Sequence, residues 1–475
     1  MNSMHRLTLL ASTCLSLCAV SVAQAAPKRV AKPAAAATVP SHEAELMQRL
    51  DQLSGEMAQL KAQLAELKQQ AQANKAVVVA NPAPVASTAP AVPVVAAASA
   101  SVANGVENGT GNDNAGSPTA EPATVLTGYG ELNYNRYNKD SSRNQADMRR
   151  FVLGMQHRLD AKTKIVTELE VEHGVSSADD KGEVEVEQAY AERQLNDRWA
   201  LRAGLFLMPS GLLNENHEPT AYYGVERNFV ETAIIPSTWR EGGLQLVGNF
   251  DNGLTVQTGL STGFDVSKWA SDDAETADSP LGSVHQEMSQ AKAKDPAVFV
   301  ALNWRGLPGL QLGGSWFSGN GGQGQPTAGG NKLRVNLWDL HARYTLGALD
   351  LSSVYARGTI SGTADFNMHN GISSGPDWYP IPKSFDGVYV QAAYKLWAWD
   401  DLSLSPFVRA ERFNTRKSYA DLGLGLTPDA AATRQVYTLG ANFNVGQGLV
   451  FKADVQRFKH DGDNNRLDLG MGWSF

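Results

Sequence analysis

The chain has 475 residues, a formal net charge of −8 at pH 7 and two cysteines. Its mean hydropathy of −0.29 argues against a helical membrane protein, and its mildly acidic balance gives no indication of a nucleic-acid partner. Both cysteines, Cys14 and Cys18, fall within the first 25 residues, so the remainder of the chain has neither disulfide nor thiolate chemistry.

The first 25 residues have the pattern of an export signal. A positively charged start is followed by an apolar stretch over residues 7–22, and Ala23-Gln24-Ala25 offers the small-x-small pattern that signal peptidase accepts. Acylation at Cys18 is the alternative, but it requires a small residue just before the cysteine, where this chain has Leu17. We therefore expect a signal peptide at residues 1–25, which directs the protein to the bacterial envelope.

Apolar residues recur with heptad spacing between residues 41 and 72. Intervals of four and three positions alternate along Leu46, Leu50, Leu53, Met57, Leu60, Leu64, Leu67 and Ala71. Such a seam needs a partner helix, because an isolated amphipathic helix leaves it exposed to water. We expect a coiled-coil stalk in the periplasm, and a single helix that lies on the periplasmic face of the next domain is the alternative.

Residues 73–122 are rich in alanine, proline, valine, glycine and asparagine and have no periodicity. Four prolines between residues 82 and 93 would interrupt any spanning helix. The segment is typical of a semi-extended tether that needs no packed core. Aromatic residues begin only at Tyr129, so we place the boundary of the next domain near residue 123.

Residues 123–475 contain about sixteen predicted strands, in which large apolar side chains alternate with small or polar ones. In the last strand, one face carries Leu467, Leu469, Met471, Trp473 and Phe475. Short turns alternate with long connections, as in bacterial barrels with short periplasmic turns and longer extracellular loops. We predict an all-β transmembrane barrel of about sixteen antiparallel strands.

The same alternation assigns side chains to the inside of the barrel. Sixteen strands leave an aqueous lumen, so polar residues at inward positions are candidates for pore lining. The candidates are Arg150, Arg158, Lys164, Glu168, Glu170, Arg202, Arg343, Lys395, Arg409, Glu411 and Lys452. Acids and bases occur together in this set, which predicts a lumen of mixed charge. Glu168 and Glu170 on one strand would repel phosphate unless basic neighbours pair with them.

The stretch from Arg202 to Gly211 resembles the Gly-x-x-x-x-Pro-x-Gly segment of the phosphate-selective porin family, the porin O and porin P type. Segments 387–394, 406–412 and 439–443 also resemble that family. The resemblance covers the barrel alone. It implies a sixteen-stranded, trimeric outer-membrane channel that passes anions or phosphate along lumenal lysines and arginines. The mixed lumenal charges depart from that pattern, so we favour a general porin for small hydrophilic solutes over a dedicated phosphate channel.

The longest connection, residues 209–240, follows the fifth predicted strand. The family resemblance implies that it folds into the barrel and narrows the lumen. The candidates for a constriction on this loop are His217, Glu218, Arg227, Glu231 and Arg240. The alternative is a loop whose ion pairs only attach it to the wall.

No catalytic residue, cofactor or metal ligand is predicted. The His217-Glu218 pair lacks a second histidine at helical spacing, and no nucleophile has an activating arrangement that is legible in the sequence. We expect a non-enzymatic channel without a nucleic-acid partner, in contact with outer-membrane lipid and lipopolysaccharide. An envelope tether, in which the barrel anchors the stalk to peptidoglycan or a partner, is the alternative function.

Overall fold

The computed structural model of the protein describes residue 55 and residues 123–177, 181–325, 333–370, 378–423 and 425–475. The expected signal peptide, coiled-coil stalk and linker therefore lie outside the described residues, except for Gly55, which is helical and exposed. Within the described part of the chain, no helix is long and apolar enough to cross a membrane.

Strands form the wall of the molecule, and neighbours along the chain pair in an antiparallel arrangement. In chain order they are β1 (Thr124–Tyr137), β2 (Gln145–Asp160), β3 (Thr163–Glu172), β4 (Val184–Gln194), β5 (Trp199–Leu207), β6 (Arg240–Asn249), β7 (Leu254–Ser261), β8 (Ala297–Leu307), β9 (Leu310–Asn320), β10 (Arg334–Leu346), β11 (Leu349–Ile360), β12 (Ser384–Tyr394), β13 (Trp397–Trp399), β14 (Leu402–Ser418), β15 (Arg434–Val445), β16 (Leu449–Phe458) and β17 (Arg466–Ser474). Since β1 pairs with β17 as well as with β2, the sheet closes on itself.

Sixteen strand positions surround the barrel, because β12 and β13 both pair with β14. β13 continues β12 after a break at Lys395 and Leu396 and adds no position of its own. The prediction of a sixteen-stranded antiparallel barrel is confirmed. Closure satisfies the backbone hydrogen bonds of both end strands, as a sheet in a bilayer requires.

Short turns and long connections alternate around the barrel. The short turns include 161–162, 250–253 and 446–448, whereas 208–239, 262–296 and 361–383 are long. Tight turns use positive φ, and Gly309 has a φ of 75° in the turn between β8 and β9. A Cβ atom at this position would lie 2.2 Å from the carbonyl oxygen of Thr345, so only glycine fits.

Strand β16 shows how alternation separates the two faces of the wall. Lys452, Asp454 and Gln456 are buried, whereas Phe451 and Val455 are exposed. Side chains in a strand point alternately to opposite faces, so the buried set faces the lumen and the exposed set faces lipid. The polar inward face and the apolar outward face therefore follow the predicted pattern in this strand.

At the long-loop end of the barrel, by contrast, much of the inner wall is apolar. Phe206 lies near the end of β5, Phe385 near the start of β12 and Phe413 in the loop-side part of β14, and all three are buried. They belong to one cluster with residues of the long connections, including Trp239 and Leu281. The expectation that inward positions are polar or very small is wrong here, because these rings cover loops that fold inward.

Candidate constriction loop and lumen

The connection between β5 and β6, residues 208–239, enters the inside of the barrel. Ser210 Oγ and the Gly211 N–H donate hydrogen bonds to the buried Asp339 of β10, at 3.1 and 3.2 Å. β10 is not a neighbour of β5 in the sheet, so the loop must leave the rim to reach it. This connection is called the lumen loop below.

His217 attaches the middle of the lumen loop to β1, β2 and β4. Its Nε2 lies 2.6 Å from Glu187 and 2.8 Å from the Tyr129 hydroxyl, and Arg150 donates to its carbonyl oxygen at 2.9 Å. Its Nδ1 lies 2.9 Å from the Asn214 carbonyl oxygen, so a protonated ring can donate from both nitrogens. Burial opposes this charge, but the charge of Glu187 and its hydrogen bond outweigh burial and raise the pKa of His217.

The following segment of the loop reaches β1 again and two further strands. Tyr222 donates its hydroxyl to Glu131 of β1 at 2.8 Å, and its carbonyl oxygen accepts from the Asn442 amide of β15 at 3.0 Å. The Val225 N–H donates to Asp454 of β16 at 2.7 Å. Since these partners belong to the far side of the sheet from β6, the loop lies across the lumen, as the family resemblance implies.

The last segment of the lumen loop is held mainly by packing. The ring of Phe229 stacks on Phe413 of β14, with the ring centroids 5.1 Å apart. Trp239 lies 5.2 Å from Phe264 and 4.9 Å from Phe317, measured between ring centroids. The rings in these contacts belong to the apolar cluster at the long-loop end or pack against it.

Glu231 connects the beginning and the end of the lumen loop. It lies in a single π-helical turn, and one carboxylate oxygen accepts from the N–H groups of Leu212 and Leu213 at 2.5 and 2.7 Å. The other oxygen accepts from the Asn228 amide at 2.8 Å and the Tyr389 hydroxyl at 3.1 Å. Four donors surround this buried carboxylate, and Tyr389 of β12 is the one that belongs to the barrel wall.

Two other constriction candidates also bind within the loops. Arg227 donates to the hydroxyls of Ser237 and Thr238 at 2.8 and 2.9 Å, both on the lumen loop itself. Arg240, the first residue of β6, lies 2.7 Å from Glu287 of the next long connection. Arg227 therefore joins two parts of the lumen loop, and Arg240 joins the barrel wall to the next long connection.

Most of the predicted lumenal cations are paired with carboxylates. The pairs are Arg150 with Glu131 at 2.9 Å, Lys164 with Glu192 at 3.1 Å, Arg202 with Glu192 at 2.6 Å, Arg343 with Asp350 at 2.6 Å and Arg409 with Glu411 at 3.0 Å. Arg158 and Lys395 are exposed near the short-turn end. The wall therefore carries a series of ion pairs instead of a row of unpaired bases.

Three pore-lining candidates have few or no hydrogen-bond partners among the described residues. Lys452 is buried, its Nζ lies 3.5 Å from the centroid of the Tyr222 ring, and it has no hydrogen-bond partner among the described residues. Glu168 accepts a hydrogen bond from the amide of Gln188. One oxygen of the buried Glu170 has no such partner within the described ranges. The acids and this lysine leave both signs of charge on the inner wall.

A cavity of about 20 Å³ remains between the lumen loop and the wall. It has room for roughly one water molecule. Glu168, Arg202, Glu215 and Glu218 contribute to its lining. Among the residues that the structure describes, no group of three or more His, Cys, Asp or Glu side chains is placed to hold a metal ion.

The partner of His217, Glu187, is absent from the predicted set and lies at a β-bulge of β4. Glu168 is opposite Gln188 and Leu169 is opposite Val186, so Glu187 is the extra residue between them. Its side chain turns inward and is fully buried. The adjacent polar pair Glu187-Gln188 interrupts an otherwise regular alternation, and this is the one signal that the sequence offers.

Residues 125–238 match the family model of the phosphate-selective porins O and P. This part of the chain is similar to the outer-membrane porins of that family. The match begins in β1 and ends within the lumen loop, so it includes the Gly-x-x-x-x-Pro-x-Gly segment and all five constriction candidates except Arg240. The resemblance predicted from the sequence is confirmed by this match.

The chain is also similar to other proteins. An uncharacterised protein of Aquifex aeolicus (strain VF5) is 26% identical over 357 residues, which are 74% of this chain and 79% of that protein. OmpF of Salmonella typhi, in complex with daunomycin, is 14% identical over 74% of this chain and 97% of its own, with a TM-score of 0.51. The trimer form of OmpT from Vibrio cholerae is 10% identical over 74% and 98% of the two chains, with a TM-score of 0.42. At 14% identity, the likeness to OmpF supports a shared fold alone.

Proposed function

We propose that the porin is a general channel for the passive diffusion of small hydrophilic solutes and ions, with weak or mixed ion selectivity. In this proposal the lumen loop is the constriction, and the polar residues of the inner wall line the path. Phosphate is then one of several anions that pass, without a dedicated site.

The observation that carries the proposal is the pairing of the lumenal cations. A phosphate-selective lumen needs bases that are free to replace the hydration shell of an anion. Arg150 and Arg409 instead lie 2.9 and 3.0 Å from the carboxylates of Glu131 and Glu411. The fields of opposite charges at this distance cancel a few ångströms away, so the wall presents no single sign of charge to a passing ion.

Single-channel recording of the purified full-length protein in planar bilayers tests the proposal. We expect stepwise conductance, a reversal potential near zero in a KCl gradient and no block by low phosphate concentrations. An anion-side reversal potential together with phosphate block would contradict the proposal and indicate a phosphate-selective channel. Absence of any conductance would contradict the channel itself.

Substitution of the paired acids adds a sharper test of the same point. E131Q and E411Q each free one arginine from its carboxylate, so we expect the reversal potential of either variant to move toward anions. D463N is the matched control, because it removes one acid from an exposed connection at the long-loop end. A shift of equal size in D463N would show that net charge, and not lumenal pairing, determines selectivity.

We also propose a homotrimer whose residues 41–72 form a periplasmic coiled coil, joined to the barrel by residues 73–122 after removal of residues 1–25. The heptad spacing supports this arrangement, because its leucine seam needs partner helices. Conductance that closes in three equal steps is the expected result.

The heptad segment also favours a second candidate function, an envelope tether that contacts peptidoglycan or a protein partner. Deletion of residues 27–122 separates the two functions. A porin without a tethering role keeps its conductance and its cells keep an intact envelope, whereas loss of envelope integrity with normal conductance would establish the tether.

A further inference from the structure

The lipid-facing side of the barrel carries a groove of about 850 Å³ across β10 to β16. One row of its lining residues is continuous from strand to strand, because each is the register partner of the next. The row is Tyr344, Leu351, Ala392, Val408, Leu439 and Val455. These residues define the outer groove, whose lining is almost entirely apolar.

The outer groove runs obliquely from the short-turn end toward the long-loop end of the barrel. Adjacent strands lie about 4.8 Å apart, so six neighbouring strands extend it over roughly 24 Å. At one end, Tyr344 lies close to the short turn after β10. At the other end, Arg457 also lines the groove and precedes the last residue of β16, on the long-loop side.

The groove is concave because the neighbouring row of outward-facing residues, which includes Val390, Ala410 and Tyr437, also contains small side chains. Ala410 is opposite Val390 on one side and Tyr437 on the other. The two larger side chains are 55% and 50% exposed, so they project from the wall while the alanine between them does not. An apolar depression of this length on the lipid side has the shape to hold a hydrocarbon chain.

Basic side chains surround the upper end of the groove. Arg412 is the register partner of Gln435, and Arg457 is the partner of Tyr437, two residues further along β15. The third base, Lys459, donates to the side chain of Gln435 at 3.3 Å. All three bases are exposed on the outer wall or at its rim.

These bases have no acidic partner. Arg412, Arg457 and Lys459 form no ion pair with any residue in the described ranges, whereas Lys417 on the same side of the barrel meets Asp386. An arginine held at the edge of an apolar surface without a carboxylate is best satisfied by an anion from outside the chain. The three bases lie toward the long-loop end of the barrel, which is the end expected at the outer leaflet, where lipid phosphate groups are found.

We propose that the outer groove and its three bases bind a phosphate-bearing lipid of the outer leaflet, with an acyl chain in the groove and the phosphate groups on Arg412, Arg457 and Lys459. This inference rests on the outer-membrane location of the porin and is independent of its ion selectivity. A second copy of this chain fits the surface less well, because a subunit contact would bury the unpaired cations without a counter-ion.

Native mass spectrometry of the full-length protein, titrated with bis-phosphorylated lipid A in detergent, tests the inference. Loss of two cationic contacts in R412Q/R457Q should weaken binding by at least roughly tenfold. The matched control is R193Q/R198Q, which removes the same charge from exposed residues at the opposite end of the barrel and should leave binding unchanged. The same lipid without its phosphates should bind the wild-type protein as weakly as it binds R412Q/R457Q. Equal binding of the two lipids, or equal weakening in both variants, would overturn the inference.

A second variant tests the groove apart from the charges. A410F fills the depression and should weaken lipid binding without a change of oligomeric state, whereas A203F adds the same ring to an exposed position on β5. Dissociation of the oligomer by A410F with lipid binding intact would assign the groove to a subunit contact and overturn the proposal. Conductance of the wild-type protein is recorded separately, so a channel that conducts but binds no lipid refutes only this inference.

Discussion

The two halves of the lumen loop reach the barrel wall in different ways. Between Gly211 and Val225 the loop meets buried carboxylates and amides of the wall through hydrogen bonds. Between Phe229 and Trp239 it packs against aromatic rings at the long-loop end. Packing of apolar side chains stabilises a loop without adding charge to the lumen. The apolar half is therefore held mainly by ring packing, and the polar half brings charged side chains of the loop and the wall together inside the barrel.

The largest expected effect comes from the apolar half. Trp239 is almost fully buried and contacts Phe264 and Phe317, so W239A should lower the free energy of unfolding of the loop region by about 3–5 kcal/mol. We expect rapid proteolysis within the loop and a larger conductance. W316A is the matched control, because Trp316 faces outward and is 42% exposed. Equal protease resistance of W239A and wild type would show that packing does not hold the loop.

Glu231 tests the connection between the halves and should have an intermediate effect. In E231Q the side chain keeps its shape, but one of its two acceptor oxygens becomes an amide donor that faces the donors now bound there. Each unsatisfied buried group costs about 1–3 kcal/mol. We expect a lower thermal midpoint and noisier single-channel current. E275Q is the control, because Glu275 is exposed. Identical thermal midpoints of E231Q and E275Q would contradict the role of the Glu231 carboxylate.

The contrast between the halves also explains how far the sequence predicts the molecule. The faces of β16 follow from period-two alternation, because lipid and water select opposite side chains at Phe451 and Lys452. The inward rings of Phe206 and Phe413 do not follow from it. An apolar side chain can lie on either face of the wall. These rings can lie on the inner face only because the folded loops cover them.

The polar half shows a similar limit. His217 was predicted on the constriction loop from its residue type and position, but its partner Glu187 depends on a bulge that shifts the register of β4 by one residue. A local insertion of this kind changes which side chains face inward without changing the composition of the strand. Alternation therefore predicts the wall well and predicts the contacts between wall and loop poorly.

The pH dependence of the His217 contact measures the polar half directly. Its folded-state pKa is raised from the ordinary value of 6.5, so the stabilisation is fully present below the unfolded pKa and is lost as the pH rises through the folded pKa. We expect the difference in thermal midpoint between wild type and H217Q to shrink as the pH increases above about 6.5. In E187Q the same pH dependence should be absent. A difference in thermal midpoint between wild type and H217Q that stays constant with pH would contradict a charged contact between His217 and Glu187.

The smallest expected effect lies outside the lumen, at the pair of Lys139 and Asp463 between two exposed connections. The hydrogen bond from Lys139 and then its charge lower the pKa of Asp463 from 3.8, so any stabilisation is present above that pH and is lost as the pH falls through the folded pKa. Both side chains are largely exposed, at 64% and 73%, and water and salt screen their attraction. We expect the thermal midpoint of D463N at neutral pH to match that of wild type within error. A clear loss in D463N would mean that the rim connections hold the lumen loop in place, and the division of tasks between its apolar and polar halves would then be incomplete.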